Sequence, residues 1–235
     1  MANLLKDEVN KTTKWEFDEE VTKVFDNMLS RSIPNYGTMR ELCFALGRNF
    51  IKPNSNVVDM GCSNGLSSEM FIENIPNANY FLYDVSAPML SACRTRYDNK
   101  PFVNISYNDL RTGLPIGSLD LVLSILTIQF TPIEYRQNIL QSVYDNLNDG
   151  GAFIYVEKVL GNSAKIDDIL VKEYYGLKKD NGYTQEQIAN KRKSLEGVLV
   201  PLTASFNEHL LNSVGFKYID CFWRCLNFVG WIAIK

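Results

Sequence analysis

The sequence predicts an α/β protein: a mostly parallel sheet with helices on both faces. Short apolar, β-branched runs recur between helical stretches from residue 56 to residue 156. Those runs lack polar alternation, as strands buried on both sides do. The chain has 235 residues, 46% apolar and 22% charged, which suits one soluble unit that buries its own core.

Residues 1–15 are polar and read as a flexible tail. Two helices are expected over residues 16–50. The first, from Phe17 to Ser30, has Phe17, Val21, Val24, Phe25 and Met28 on one stripe and stops before Pro34. The second runs from Tyr36 to Asn49, with Met39, Leu42, Cys43 and Leu46 inward. Asn56–Met60 reads as the first strand, followed by Gly61-Cys62-Ser63-Asn64-Gly65 and a helix from Leu66 to Asn74. Tyr80–Tyr83 is a second strand ending at Asp84, and Ser86 caps a helix with Pro88 in its first turn. Phe102–Tyr107 and Leu119–Leu126 are the next strands. Pro132–Leu147 is a helix with a turn at Asn148–Gly151, and Ala152–Val156 is the fifth strand. Residues 160–200 are polar and helical, and Thr184-Gln185-Glu186-Gln187 has the form of a capping box. About forty residues are too few for a separate core, so this is a helical insertion in a single domain spanning 1–235. Thr203–Val214 is helical, and Lys217–Arg224 with Phe228–Lys235 forms an antiparallel pair at the sheet edge.

Composition narrows the chemistry. Lys plus Arg is 24 and Asp plus Glu is 27, a net charge of −3, which disfavours direct binding of nucleic acid or anionic lipid. No run reaches the roughly 18 apolar residues of a membrane span, and the N-terminus lacks the apolar core of a secretory signal. The five cysteines are scattered and odd in number, which suits reduced thiols in a cytoplasmic protein. His209 is the only histidine, so no His-based triad or multi-His metal site can form, and no metal is expected.

The strongest motif is Asp59-Met60-Gly61-Cys62-Ser63-Asn64-Gly65, a strand running into D-x-G-x-x-x-G. Gly61 permits a sharp turn and close approach of a ligand, and the loop feeds a helix start. Asp84 ends the second strand and can accept ribose hydroxyls, and Asp109 ends the third. These acids ring the crevice where open parallel sheets bind ligands.

This arrangement resembles the class I S-adenosyl-L-methionine (SAM) dependent methyltransferases. The resemblance implies a Rossmann-like fold: a mostly parallel seven-stranded sheet with a C-terminal antiparallel pair. A closer resemblance rests on several segments. They are Trp15–Glu19, Val24–Met28, Arg31-Ser32-Ile33-Pro34-Asn35-Tyr36, Asp59–Ser63, Leu126–Phe130, Asn181-Gly182-Tyr183, Lys191–Glu196 and Phe222–Phe228. They are similar to the carboxy-SAM synthases over residues 15 to 235.

That resemblance implies an activity. SAM and prephenate would give carboxy-SAM and phenylpyruvate, the CO₂ being captured on the SAM methyl carbon as an ylide. The product would serve tRNA wobble-uridine modification or a natural-product pathway. It further implies SAM or carboxy-SAM as the bound nucleoside and a homodimer. Arg192 would hold the carboxylate across the dimer interface, and Tyr36 would stand at the ligand. Cofactor contacts would come from Tyr36, Asp59, Gly61, Cys62, Ser63, Gly65, Asp84, Val85, Asp109, Leu110 and Ile125. Two positions depart from the family pattern. Val85 and Ile125 stand where the family carries asparagine, which removes polar groups from the crevice.

Competing readings stay open. Arg192 has Glu196 at i+4 as an alternative partner, and Tyr36 has a place in the core as an alternative role. An ordinary small-molecule SAM methyltransferase and a non-catalytic SAM-binding protein are the rival functions.

Overall fold

The structure is a computed structural model and describes residues 13–235. Most of the expected tail lies outside those residues. Its last residue is anchored rather than flexible: Trp15 is buried, and its N–H donates to the Ser194 carbonyl at 2.9 Å.

Helix α1 spans Glu19–Ser32, with Asp18 accepting from the Val21 N–H. It starts two residues later than expected, because the Asp18 carboxylate is the cap. Phe17 precedes the cap and packs edge-on against Trp15, Phe25 and Phe130. Helix α2 spans Tyr36–Gly47 and ends in a 3₁₀ turn, Arg48–Phe50.

The parallel sheet comes next: β1 (Asn56–Met60), β2 (Asn79–Asp84), β3 (Val103–Tyr107), β4 (Leu119–Ile125) and β5 (Leu147–Leu160). Three helices connect them: α3 (Glu69–Asn74), α4 (Ala87–Arg96) and α5 (Ile133–Asn146). Helix α3 is shorter than expected because Leu66–Ser68 form turns first. Strand β5 is longer at both ends: Leu147 already pairs with Leu119, and the strand continues past Val156 to Leu160. The expected turn at Asn148–Gly151 is therefore an irregularity inside the strand, marked by Gly150 at φ +77°.

The insertion forms α6 (Ala164–Asp180) and α7 (Gln185–Leu195), the latter opened by the expected capping box between Thr184 and Gln187. A two-residue strand β6 (Leu202–Thr203) pairs with β5 and was not expected. Then follow α8 (Ala204–Ser213), β7 (Tyr218–Cys225) and β8 (Phe228–Ile234). The strand order is β3-β2-β1-β4-β5-β8-β7, with β8 antiparallel to both β5 and β7.

Successive strand residues face opposite layers, and both layers are apolar. Val57, Leu121, Leu123 and Ile154 pack under α2 and α3, whereas Val58, Val122, Phe153 and Tyr155 pack under α5 and α8. Trp231 is fully buried against Tyr155, in keeping with a packing role for the C-terminal aromatics.

The insertion does not stand apart. Arg31 Nε donates to the Asn181 carbonyl at 2.9 Å, and the Ser32 and Tyr183 hydroxyls meet at 3.0 Å. Lys191 lies 3.7 Å from the Trp15 ring centroid. These contacts tie the N-terminal helices to α6 and α7.

Candidate functional site

A cavity of about 460 Å³ opens at the carboxyl ends of the parallel strands. Its wall combines the glycine loop, the ends of β2 to β5, the N-terminal segment and α7.

The chain turns sharply after β1. Gly61 has φ +69°, and a Cβ there would run into the Thr127 side chain, so only glycine fits. Cys62 N–H donates to Tyr83 O at 2.9 Å, which fastens the loop to β2. The Ser63 N–H donates to Asp84 Oδ2 at 2.9 Å and the Ser86 N–H to Oδ1 at 2.8 Å. Asp84 is thus oriented from two sides at the cavity wall. Burial raises its carboxyl above the usual carboxylate range, and the Ser86 and Ser63 N–H groups oppose that rise.

Asp109 caps the 3₁₀ turn Leu110–Thr112 and is gripped by Arg111, with Nε at 2.9 and 3.0 Å from its two oxygens. That bond holds its carboxyl below the usual range. Leu110 is buried, and Val85 is 57% exposed at the mouth. Ile125 is in the wall at the end of β4. Tyr36 is the first residue of α2, buried in the wall, and burial drives its phenol well up. The phenol therefore stays protonated and serves as a donor.

Three expected residues play other roles. Asp59 lies behind the loop, 1% exposed, accepting the Ser68 hydroxyl at 2.7 Å, and burial pushes its carboxyl up to about 7. Gly65 also faces away from the cavity. Its φ is +83°, a Cβ would meet Tyr97 and Cys93, and its carbonyl accepts the Tyr97 hydroxyl at 2.8 Å. Both residues shape the loop from beneath. Arg192 is exposed in the last turn of α7 and is absent from the wall of its own chain's cavity. No ion pair joins it to Glu196 among the described residues, so the surface-pair alternative finds no support in the geometry. Cys62 does reach the wall, but its thiol is buried against Cys93 and raised far above its usual value, so it is no nucleophile.

Sequence reasoning missed Lys158, Lys191, Thr127 and Gln129, all of which line the cavity. Gln129 Oε1 accepts the Lys158 N–H at 2.7 Å and joins the turn after β4 to β5. Extending the strand-end rule to β4 points to Thr127 and Gln129, whereas Lys158 lies inside β5 and Lys191 on α7, where that rule gives no signal.

The sheet order, the glycine turn and the strand-end acids define the class I SAM-dependent methyltransferase fold. In line with this, the Methyltransferase domain family matches residues 57–151. Among solved structures, the citrinin polyketide synthase CMeT domain superposes with TM-score 0.64 at 16% identity, over 92% of this chain and 56% of that one. The SAM-dependent methyltransferase SibL gives 0.59 at 13% identity, over 91% and 58%. The chain spans little more than half the length of those two, and the likeness is one of fold.

Sequence relatives are more specific. The carboxy-SAM synthase of Methylococcus capsulatus is 38% identical over 224 residues, 93% of each chain. That of Histophilus somni is 33% identical over 233 residues, 97% of this chain and 96% of the relative. The chain belongs to the carboxy-SAM synthase family. SAM fits the site in kind: the Asp84 carboxylate and the glycine loop border one cavity at the strand ends.

Proposed function

We propose that the protein makes carboxy-SAM from SAM and prephenate, with release of phenylpyruvate. The observation that carries this reading is the division of charge around one cavity. Asp84 and the Arg111-paired Asp109 stand at the ends of β2 and β3, and cations without such a pairing to those acids gather at the far side, with Lys158 and Lys191 in the wall and Arg192 near it. Bound SAM supplies an acidic S-methyl carbon. Prephenate loses CO₂ and its ring hydroxyl, the hydroxide takes one methyl proton and leaves as water, and the methyl carbon bonds to CO₂.

The chain's own residues position and neutralise. Asp84 holds the ribose hydroxyls, and Asp109 with Leu110 borders the adenine. Gly61 and Ser63 admit the methionine part, and Tyr36 donates its hydroxyl proton into the wall. Arg192 meets the transferred carboxylate as a planar fork that stays charged. Its exposure outside its own cavity supports a role in trans, so the working unit is a homodimer. The domain acts as one SAM-binding unit over 1–235. Among the described residues no helix is long and apolar enough to cross a membrane. With free cysteines, three of them buried, this supports a cytoplasmic enzyme that acts on small molecules and reaches tRNA only through its product.

A second reading, plain methyl transfer, is favoured by Val85 and Ile125, which lack the polar groups of the family asparagines. One experiment separates the two. The purified protein is incubated with SAM and prephenate, and the bound nucleoside is weighed. Carboxy-SAM is expected, heavier than SAM by one CO₂, about 44 mass units. SAM or S-adenosylhomocysteine unchanged by prephenate would sink the proposal.

A further inference from the structure

Three cations line the cavity among the described residues: Arg111 is held by Asp109, Lys191 lies over the Trp15 ring, and Lys158 stands near the end of β5. Lys158 sits two residues past Val156, which pairs with Ile125. Its backbone is held on two sides, by the Gln129 side chain and by pairing with Phe228 on β8. Its ammonium lies over the Tyr174 ring, 4.7 Å from the centroid, and Tyr174 in turn packs against Phe228 at 5.4 Å. Among the described residues its Nζ makes no hydrogen bond and no ion pair.

Charged groups approach it from two helices. Helix α6 brings Asp167, whose Oδ1 already accepts the Gly161 N–H at 2.7 Å. It also brings Lys178, which shares the Tyr174 ring at 5.7 Å. Helix α7 brings Arg192, whose charge works against that of Lys158. Strand β8 contributes only Phe228. The result is a shielded ammonium, flanked by two further cations and two aromatic rings, whose neighbouring carboxylate Asp167 makes no ion pair with it among the described residues. Such a group costs free energy to keep charged unless an anion arrives.

We infer that Lys158 binds a carboxylate of the anionic second substrate, a cyclic keto acid, with Tyr174 and Phe228 as the apolar floor beneath it. The inference rests on the carboxyl-transfer reading and adds to it an in-chain anchor distinct from Arg192. It also accounts for Ile125. With a lysine across from that position, the donor is fixed by charge, and an apolar side chain suffices at the end of β4.

Burial lowers the Lys158 ammonium to about 8, with Asp167 opposing the fall and Arg192 adding to it. Binding of the anion is therefore strong below that pH and weakens as pH rises through it.

The test is calorimetric titration of prephenate into the protein loaded with S-adenosylhomocysteine, for the parent, Lys158→Met and Lys158→Arg. Thermal melting confirms that each variant is folded. The parent binds, and its affinity falls above pH 8. Lys158→Met binds at least tenfold more weakly at pH 7 with its S-adenosylhomocysteine affinity kept. Lys158→Arg binds with the fall near pH 8 abolished. Prephenate affinity unchanged in Lys158→Met overturns this inference alone. An equal loss of S-adenosylhomocysteine affinity overturns it too, since the lysine would then serve the methionine carboxylate. A parent that binds no prephenate overturns the carboxyl-transfer reading, and this inference with it.

Discussion

Asp59 shows how one side chain can be identified correctly and misplaced. Its carboxyl is 1% exposed, with Oδ2 on Ser68 and Oδ1 without a partner. Burial, reinforced by the nearby Asp84 charge, raises its pKa from 3.8 to about 7. A raised carboxyl stabilises the fold while it stays protonated, and that contribution is lost as pH climbs from about 4 to about 7. Asp59→Asn removes the loss. The variant gains on the parent by about 1.4 kcal/mol per pH unit across that window and by nothing further above it. Urea titrations at pH 5 and pH 8 check this; an equal difference at both values would show that Asp59 is not a neutral buried acid. The sequence could place Asp59, Asp84 and Asp109 at strand ends, because strand length and the acid are both visible there. It could not tell which acid faces the cavity. That depends on the loop's path, and φ at Gly61 and Gly65 turns one face of the loop to the ligand and the other to Tyr97. Lys158 stayed hidden for a related reason: a lysine closing an apolar strand has the same sequence pattern whether it points to solvent or into a cavity.

The turn after β4 is the element on which the cavity floor depends. Leu126 takes φ +61° and donates its N–H to Val156 O at 2.7 Å, and Thr127 then fills the space that Gly61 leaves. Two buried groups hold this turn. Glu157 faces the backbone N–H groups of Gln129, Ile128 and Thr127, and burial pushes its carboxyl up to about 8. Arg136, from α5, is 1% exposed and donates to Thr131 O at 2.9 Å, Gln129 O at 3.2 Å and Val200 O at 2.7 Å. One guanidinium thus ties the floor to the segment that follows α7. Arg136→Met leaves three carbonyls without that donor and is expected to cost about 2–4 kcal/mol. Arg136→Lys recovers only part of this, because an ammonium lacks the planar fork. Denaturant midpoints decide, and a Lys variant as stable as the parent would refute the three-carbonyl role. None of this was legible in the sequence. The helix containing Arg136 was, since its period is local, but a contact sixty-four residues away to Val200 is fixed only by the closed fold. The same limit explains β5, whose extension to Leu160 is set by its partners β8 and β6 rather than by its own residues.

Across the whole molecule, the proposed assignment of roles has the described chain lining the nucleoside side of its cavity and lacking one residue on the carboxylate side. Asp84, Tyr36 and the glycine loop are in the wall, whereas Arg192 stands exposed at the end of α7, close enough for its charge to lower Lys158. A two-fold dimer resolves this if each insertion covers the partner's cavity, because an isologous contact gives both sites the same missing group. Complementation distinguishes this from action within one chain. Arg192→Ala alone is expected to keep SAM binding and lose carboxy-SAM formation. Gly61→Val alone loses SAM binding, since a branched side chain at φ +69° collides with Thr127. Co-expressed with different tags and purified as the mixed dimer, the pair contains one complete site: the Arg192→Ala cavity served by the arginine of the Gly61→Val chain. That dimer should regain about half the parent rate, as one working site of two requires. A mixed dimer as inactive as its parts would place Arg192 in its own chain's reaction. The insertion would then have to swing inward over the anchor at Trp15 and Ser194, breaking the contacts that now hold it.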